Sequence, residues 1–169
     1  MIPLLEQLLE KEDIFKPFTF EEWADRMVLS GAWTKNPDST YSAEGDVNLS
    51  HKGLTKLPVR FKEVGRGFDC GYNQLTSLEG APKEVGGDFY CNFNQLTSLE
   101  GAPQKVGGDF WCVDNKLTTL KGAPKEVGGD FYCEHNQIVT LEGIGIVKGN
   151  IYCSDNPVPE EELLKTIGR

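Results

Sequence analysis

Apolar positions along this chain recur with a period that matches neither a helix nor a lone strand. An aromatic residue, a cysteine and an asparagine return in fixed order: "GDFYCNFNQ" (Gly87–Gln95), "GDFWCVDNK" (Gly108–Lys116), "GDFYCEHNQ" (Gly129–Gln137). Aligned on Asn73, Asn94, Asn115, Asn136 and Asn156, the steps are 21, 21, 21 and 20 residues. The same register aligns Phe68, Phe89, Phe110, Phe131 and Ile151, and it aligns Cys70, Cys91, Cys112, Cys133 and Cys153. Two leucine columns follow: Leu54, Leu75, Leu96, Leu117, Ile138, then Leu57, Leu78, Leu99, Leu120, Leu141. Val64, Val85, Val106, Val127 and Val147 close each unit. One step back, Val47 and Leu49 stand in the Phe and Cys columns, and Lys52 stands in the Asn column. Phe and Cys are two residues apart, so a strand turns both to the same face. The connecting "EGAPKEVGG" is too short and too rich in Gly and Pro for a helix, which leaves extended or turn-like backbone. One such coil buries its apolar face only against neighbouring coils, so the pattern predicts a solenoid.

The unit V-G-G-D-F-x-C-x-x-N-x-L-T-x-L-x-G-A-P resembles a leucine-rich repeat, with Phe and Cys replacing the two strand leucines. Its short form, with Gly and Pro, is most similar to the bacterial effector class. Near-identical "LTSLEGAPKEVGGDF" units also resemble small repeat proteins of tailed phages and bacteria. The resemblance spans roughly residues 46–156. It implies a right-handed coil with a parallel β-sheet on a concave, partner-facing side and a non-helical convex side. It says little about activity.

The ends differ from the repeats. Pro3 precedes Leu4, Leu5, Leu8 and Leu9, a short amphipathic pattern. In "TFEEWADRMVLSG", Thr19 and Glu22 make a capping box, and Phe20, Trp23, Ala24, Met27 and Val28 make one helical face. "KNPDST" reads as a turn, and "TYSAEGDVNLS" alternates around Glu44-Gly45 like a hairpin. At the other end Pro159 suits a first helical turn, Glu160–Glu162 complement its dipole, and Leu163, Leu164 and Ile167 would cover the last coil. The expected fold is an α+β solenoid in three parts: a helical N-terminal region with a hairpin at 1–45, about six coils at 46–157, and a capping helix at 158–169. The N-terminal helices serve as a cap, a second partner site or a homodimer contact.

The Cys and Asn columns read as framework. One Cys per coil gives a line of thiols rather than a converging set, so it packs as a small hydrophobe and not as a metal site. A buried Asn in each coil satisfies main-chain groups where the chain leaves the strand. The Asp88, Asp109, Asp130 column, continued by Asn150, is expected to accept backbone N–H bonds or pair with Lys; an acidic stripe that attracts a basic partner is a second reading, and a Ca²⁺ site, which needs more oxygens than the repeat obviously supplies, is a lesser one.

Variation marks what the framework leaves open. Between Phe and Cys stand Asp69, Tyr90, Trp111, Tyr132 and Tyr152. After Cys stand Gly71, Asn92, Val113, Glu134 and Ser154, then Tyr72, Phe93, Asp114, His135 and Asp155. The first two positions alternate with inward residues and face outward. Tyr90, Trp111, Tyr132 and Tyr152 therefore form a file whose rings stack, either as a ladder that stiffens the sheet or as a binding surface. Asn92, Phe93, Val113, Asp114, Glu134 and His135 would tune specificity beside it.

Charge narrows the partner. The net charge of −9 and pI near 4.7 argue against a nucleic-acid binder, which needs clustered Lys and Arg. No stretch is long and apolar enough to span a membrane, and "MIPLLEQLLEKEDIF" lacks a basic signal-peptide start. A cytoplasmic setting follows, the host's if the chain is phage-encoded, with the five cysteines as thiols. Catalysis is not expected. His51 and His135 are the only histidines, there is no G-x-S-x-G, P-loop or H-E-x-x-H, and there is no length for the ligase domain some effector-type relatives carry. No cofactor is implied. The reading is a non-catalytic module that binds another protein, as an inhibitor or adaptor aimed at a host or defence protein. The alternative is a carbohydrate-binding or structural phage accessory module.

Overall fold

The computed structural model describes residues 32–162, and the repeats in it build two parallel sheets joined at a glycine corner. The strands in chain order are β1 (Trp33–Lys35), β2 (Tyr41–Ala43), β3 (Val47–Asn48), β4 (Phe61–Val64), β5 (Phe68–Asp69), β6 (Glu84–Val85) and β7 (Phe89–Tyr90). They continue as β8 (Lys105–Val106), β9 (Phe110–Trp111), β10 (Glu126–Val127), β11 (Phe131–Tyr132), β12 (Ile146–Val147) and β13 (Ile151–Tyr152). Strands β3, β5, β7, β9, β11 and β13 form a six-stranded parallel sheet, here the aromatic sheet. Strands β2, β4, β6, β8, β10 and β12 form the valine sheet, to which β1 adds an antiparallel edge. Each repeat thus gives one strand to each sheet, so the chain is a β-solenoid of stacked coils.

Inward residues stack column on column. Phe68, Phe89, Phe110 and Phe131 are fully buried, with centroids 5.5, 5.3 and 5.1 Å apart along the file. Cys70, Cys91, Cys112 and Cys133 lie beside them, also at 0% exposure, and burial pushes the Cys70, Cys91 and Cys112 thiols well above their ordinary range. The two leucine columns fill the third side of each coil. At the corner, the backbone of one coil rests on the next. A Cβ on Gly107 would stand 2.2 Å from the Gly86 carbonyl oxygen, and one on Gly128 2.2 Å from that of Gly107. No side chain fits at these two positions.

The Asn column closes the turn after each aromatic-sheet strand. Asn115 Nδ2 donates to the carbonyls of Cys91, Cys112 and Val113 at 3.0, 3.2 and 3.3 Å, and its Oδ1 accepts the Leu96 N–H at 3.0 Å. Asn73, Asn94 and Asn136 repeat the pattern across coils. In the first coil, where Lys52 replaces Asn, the Lys52 N–H donates instead to Asn73 Oδ1 at 3.0 Å.

Three expectations change. First, the coil has two sheets where one was expected, because the short E-V segment before the glycine corner pairs with its neighbours. Second, Glu44-Gly45 is no hairpin: β2 joins β4 in the valine sheet and β3 joins β5 in the aromatic sheet. The hairpin lies one step earlier, β1 to β2, around the "KNPDST" turn, with Asn36 Nδ2 reaching Thr40 and Ser42. Third, the described residues hold almost no helix, so the α+β class reduces to a β-solenoid. The expected helices before residue 32 lie outside the described residues. Of the capping helix, one turn at 160–162 is described, where the Glu162 carboxylate accepts the Leu141 N–H at 2.8 Å. Leu163, Leu164 and Ile167 lie outside.

Candidate aromatic interface

The outer face of the aromatic sheet carries the expected file. Parallel register sets Tyr90 against Trp111, Trp111 against Tyr132, and Tyr132 against Tyr152. Ring centroids stand 6.0, 3.7 and 4.7 Å apart, with interplanar angles of 24°, 13° and 8°. Asp69 occupies the preceding position, so the file begins at Tyr90.

A carboxylate column runs along one margin. Asp88 Oδ1 accepts the Asp109 N–H, Asp109 Oδ1 the Asp130 N–H, and Asp130 Oδ1 the Asn150 N–H, at 2.8, 2.8 and 2.6 Å. The second oxygen of Asp88 accepts the Tyr90 phenol at 3.0 Å, and that of Asp130 the Tyr132 phenol at 3.2 Å. Desolvation within the stack, followed by these carboxylates, pushes both phenols from 10.0 up to about 12. Backbone N–H bonds thus hold the carboxylates in place, and two of the carboxylates hold rings of the file. No group of three or more His, Cys, Asp or Glu that could hold a metal ion occurs among the described residues.

The other margin holds a second stack that the sequence reading did not isolate. His51, Tyr72 and Phe93 lie ring on ring, with centroids 4.4 Å apart in both pairs. Their column is the turn before the Asn, and all six of its residues are left-handed: φ is 56° at His51, 53° at Tyr72, Phe93, Asp114 and His135, and 56° at Asp155. His and Asp are enriched in that conformation, whereas Tyr and Phe are not. Alignment already placed Tyr72 above Phe93; the stacking follows from the turn, which no propensity of Tyr or Phe announces.

The expected tuning residues divide between the two files. Asn92, Val113 and Glu134 are half-buried in the outward column between them, while Phe93 and His135 are exposed at the turn beside half-buried Asp114. His135 Nδ1 stands 3.6 Å from Asp155 Oδ2, and Cys133 is buried away from it. Two covered side-chain polar atoms on this face have no hydrogen-bond partner among the described residues: Trp111 Nε1 and Glu134 Oε2. The two stacks overlap at the coil of Tyr90 and Phe93. Together they draw a diagonal aromatic band across the coils, from His51 at one margin to Tyr152 on the strand face. Among the described residues no helix is long and apolar enough to cross a membrane. Comparison with protein-family models, with curated proteins and with solved structures found no match to this chain.

Proposed function

We propose that this chain is a non-catalytic binding module that engages another protein through the diagonal aromatic band. The observation that carries the proposal is the placement of Tyr72 and Phe93. Both are exposed, at 46% and 42%, and both stand at φ 53°. That backbone costs an ordinary L-residue about 1–2 kcal/mol. The framework has cheaper solutions at the same position: His51, Asp114, His135 and Asp155. Large exposed apolar rings in a disfavoured conformation do not serve the core, and backbone strain of this kind collects at functional sites. Tyr and Trp are also the side chains that dominate protein interfaces, and the pre-stacked rings lose little conformational freedom on binding. The leucine-rich-repeat resemblance points to the same strand face as partner-facing.

The geometry favours a protein over a sugar. A sugar ring packs on an open aromatic face, and within the files those faces lie against neighbours at 3.7–6.0 Å. Ring edges and the polar atoms between them are what the surface offers. The test is affinity capture from cell lysate with three baits: the full chain, a Tyr72→Asn/Phe93→Asn variant, and a Tyr90→Ala/Trp111→Ala/Tyr132→Ala variant. Capture of one protein by the full chain and its loss from both folded variants is the expected result. Equal capture by all three would remove the site from this face.

A further inference from the structure

We infer that the partner segment is basic: the aromatic band docks a stretch of another protein that carries arginine or lysine among apolar side chains. This rests on the reading of the band as a protein-binding surface and goes on to name the partner's chemistry. Six stretches build the aromatic sheet and its left-handed turn: 46–52, 67–73, 88–94, 109–115, 130–136 and 150–156. They hold eight carboxylates against one formal cation, Lys52. In the rest of the described residues, eleven acids are matched by eleven Lys and Arg. The net charge of the described residues, eight less one or −7, therefore lies on the aromatic face alone.

The layout is as specific as the sum. The Tyr90–Tyr152 file runs between two acidic margins, Asp88, Asp109 and Asp130 on one side and, on the other, Glu134 of the neighbouring outward column with Asp114 and Asp155 of the turn. Backbone N–H bonds fix the first margin, so its charge does not move away as a partner approaches. On the second, Asp155 is exposed and Asp114 and Glu134 are half-buried, so this margin presents carboxylates to a partner. A guanidinium supplies donors in a fixed fork that suits a carboxylate. The ring edges between the margins suit the aliphatic stems of Arg and Lys, which lie along apolar surface while their heads reach charge. The like-charged margins also repel acidic surfaces and nucleic-acid backbones, which sharpens the choice of partner.

The experiment is a selection of random displayed peptides against the full chain and against the Tyr90→Ala/Trp111→Ala/Tyr132→Ala variant. The enriched peptides are then titrated by fluorescence anisotropy. We expect peptides rich in Arg or Lys with apolar neighbours, enriched by the full chain and not by the aromatic variant. Their binding should weaken about tenfold between about 0.05 and 0.5 M salt. It should weaken to a similar degree with an Asp114→Asn/Glu134→Gln/Asp155→Asn variant. Asn tolerates the left-handed backbone at 114 and 155, so that variant keeps its unfolding midpoint. Enrichment of neutral or acidic peptides that still need the aromatic file would overturn the basic partner and leave the interface standing. Equal enrichment by the full chain and the aromatic variant would overturn the interface and this inference with it. Salt-insensitive binding, or no enrichment by the full chain, would also overturn the inference.

Discussion

Replacing Tyr72 and Phe93 together by Asn separates framework from function. In the fold, these rings contribute two stacked pairs, His51–Tyr72 and Tyr72–Phe93, each at 4.4 Å. Stacked pairs contribute about 0.5–1.5 kcal/mol each, so the substitution removes about 1–3 kcal/mol. Against that stands the backbone. Both residues hold φ 53°, which costs a bulky side chain about 1–2 kcal/mol and Asn markedly less. Relief at two positions returns a similar sum. The net change is within about 1 kcal/mol of zero, which for a chain of this size moves the thermal midpoint by no more than about 4 °C. A core residue behaves otherwise: Phe110→Ala, at 0% exposure, should cost about 3–5 kcal/mol. The assay is thermal unfolding of the full chain and both variants by circular dichroism, paired with the capture experiment. The expected pattern for Tyr72→Asn/Phe93→Asn is an unchanged midpoint with lost binding. A fall of more than about 8 °C would show that the exposed stack holds the turn together, and the argument from strain to function would fail.

Further outcomes follow from the same geometry. Asn115→Ala removes three donated bonds and one accepted bond and leaves their main-chain partners without it, so denaturant unfolding should show a loss of at least about 1–3 kcal/mol. Gly107→Ala sets a Cβ 2.2 Å from the Gly86 main-chain oxygen, a clash only a backbone shift relieves, and should lower the thermal midpoint more than any exposed substitution on the aromatic face. The Tyr90 and Tyr132 phenols have folded pKa values of about 12 against an ordinary 10.0. The protonated phenol is the form the fold favours, so this contribution is fully present below pH 10 and is lost as pH rises through about 12. Ultraviolet titration should find two late-ionising tyrosines. In Asp88→Asn, the Tyr90 step should move part of the way back, since desolvation is the larger cause and remains.

What could be read from the chain depended on how often it repeated itself. The Phe, Cys, Leu and Asn columns were legible because each appears in several units, and alternation around F-x-C fixed inside from outside. The second sheet was not, since its repeated strands are mostly two residues long and show one inward Val beside one outward residue. That is too short for a period of two to appear. The hairpin misreading has the same root. "TYSAEGDVNLS" (Thr40–Ser50) alternates on both sides of Glu-Gly, yet its part "AEGDVNLS" (Ala43–Ser50), set beside "VGGDFYCN" (Val85–Asn92), is the same corner, with Glu44 in the first glycine's place. That register was available, and it would have put the two strands in different sheets. The left-handed turn was half legible: His and Asp at four of its six positions suit positive φ, while Tyr72 and Phe93 hide it. Those two exceptions carry more about the protein's role than the regular columns do. A position that the framework fills identically in every coil reports only how coils stack. Where a coil abandons the low-cost residue for a large exposed ring, stacking on the neighbouring ring offsets the added backbone energy within the fold, as His51, Tyr72 and Phe93 do, and the exposed edge of such a ring is what the proposed interface would use.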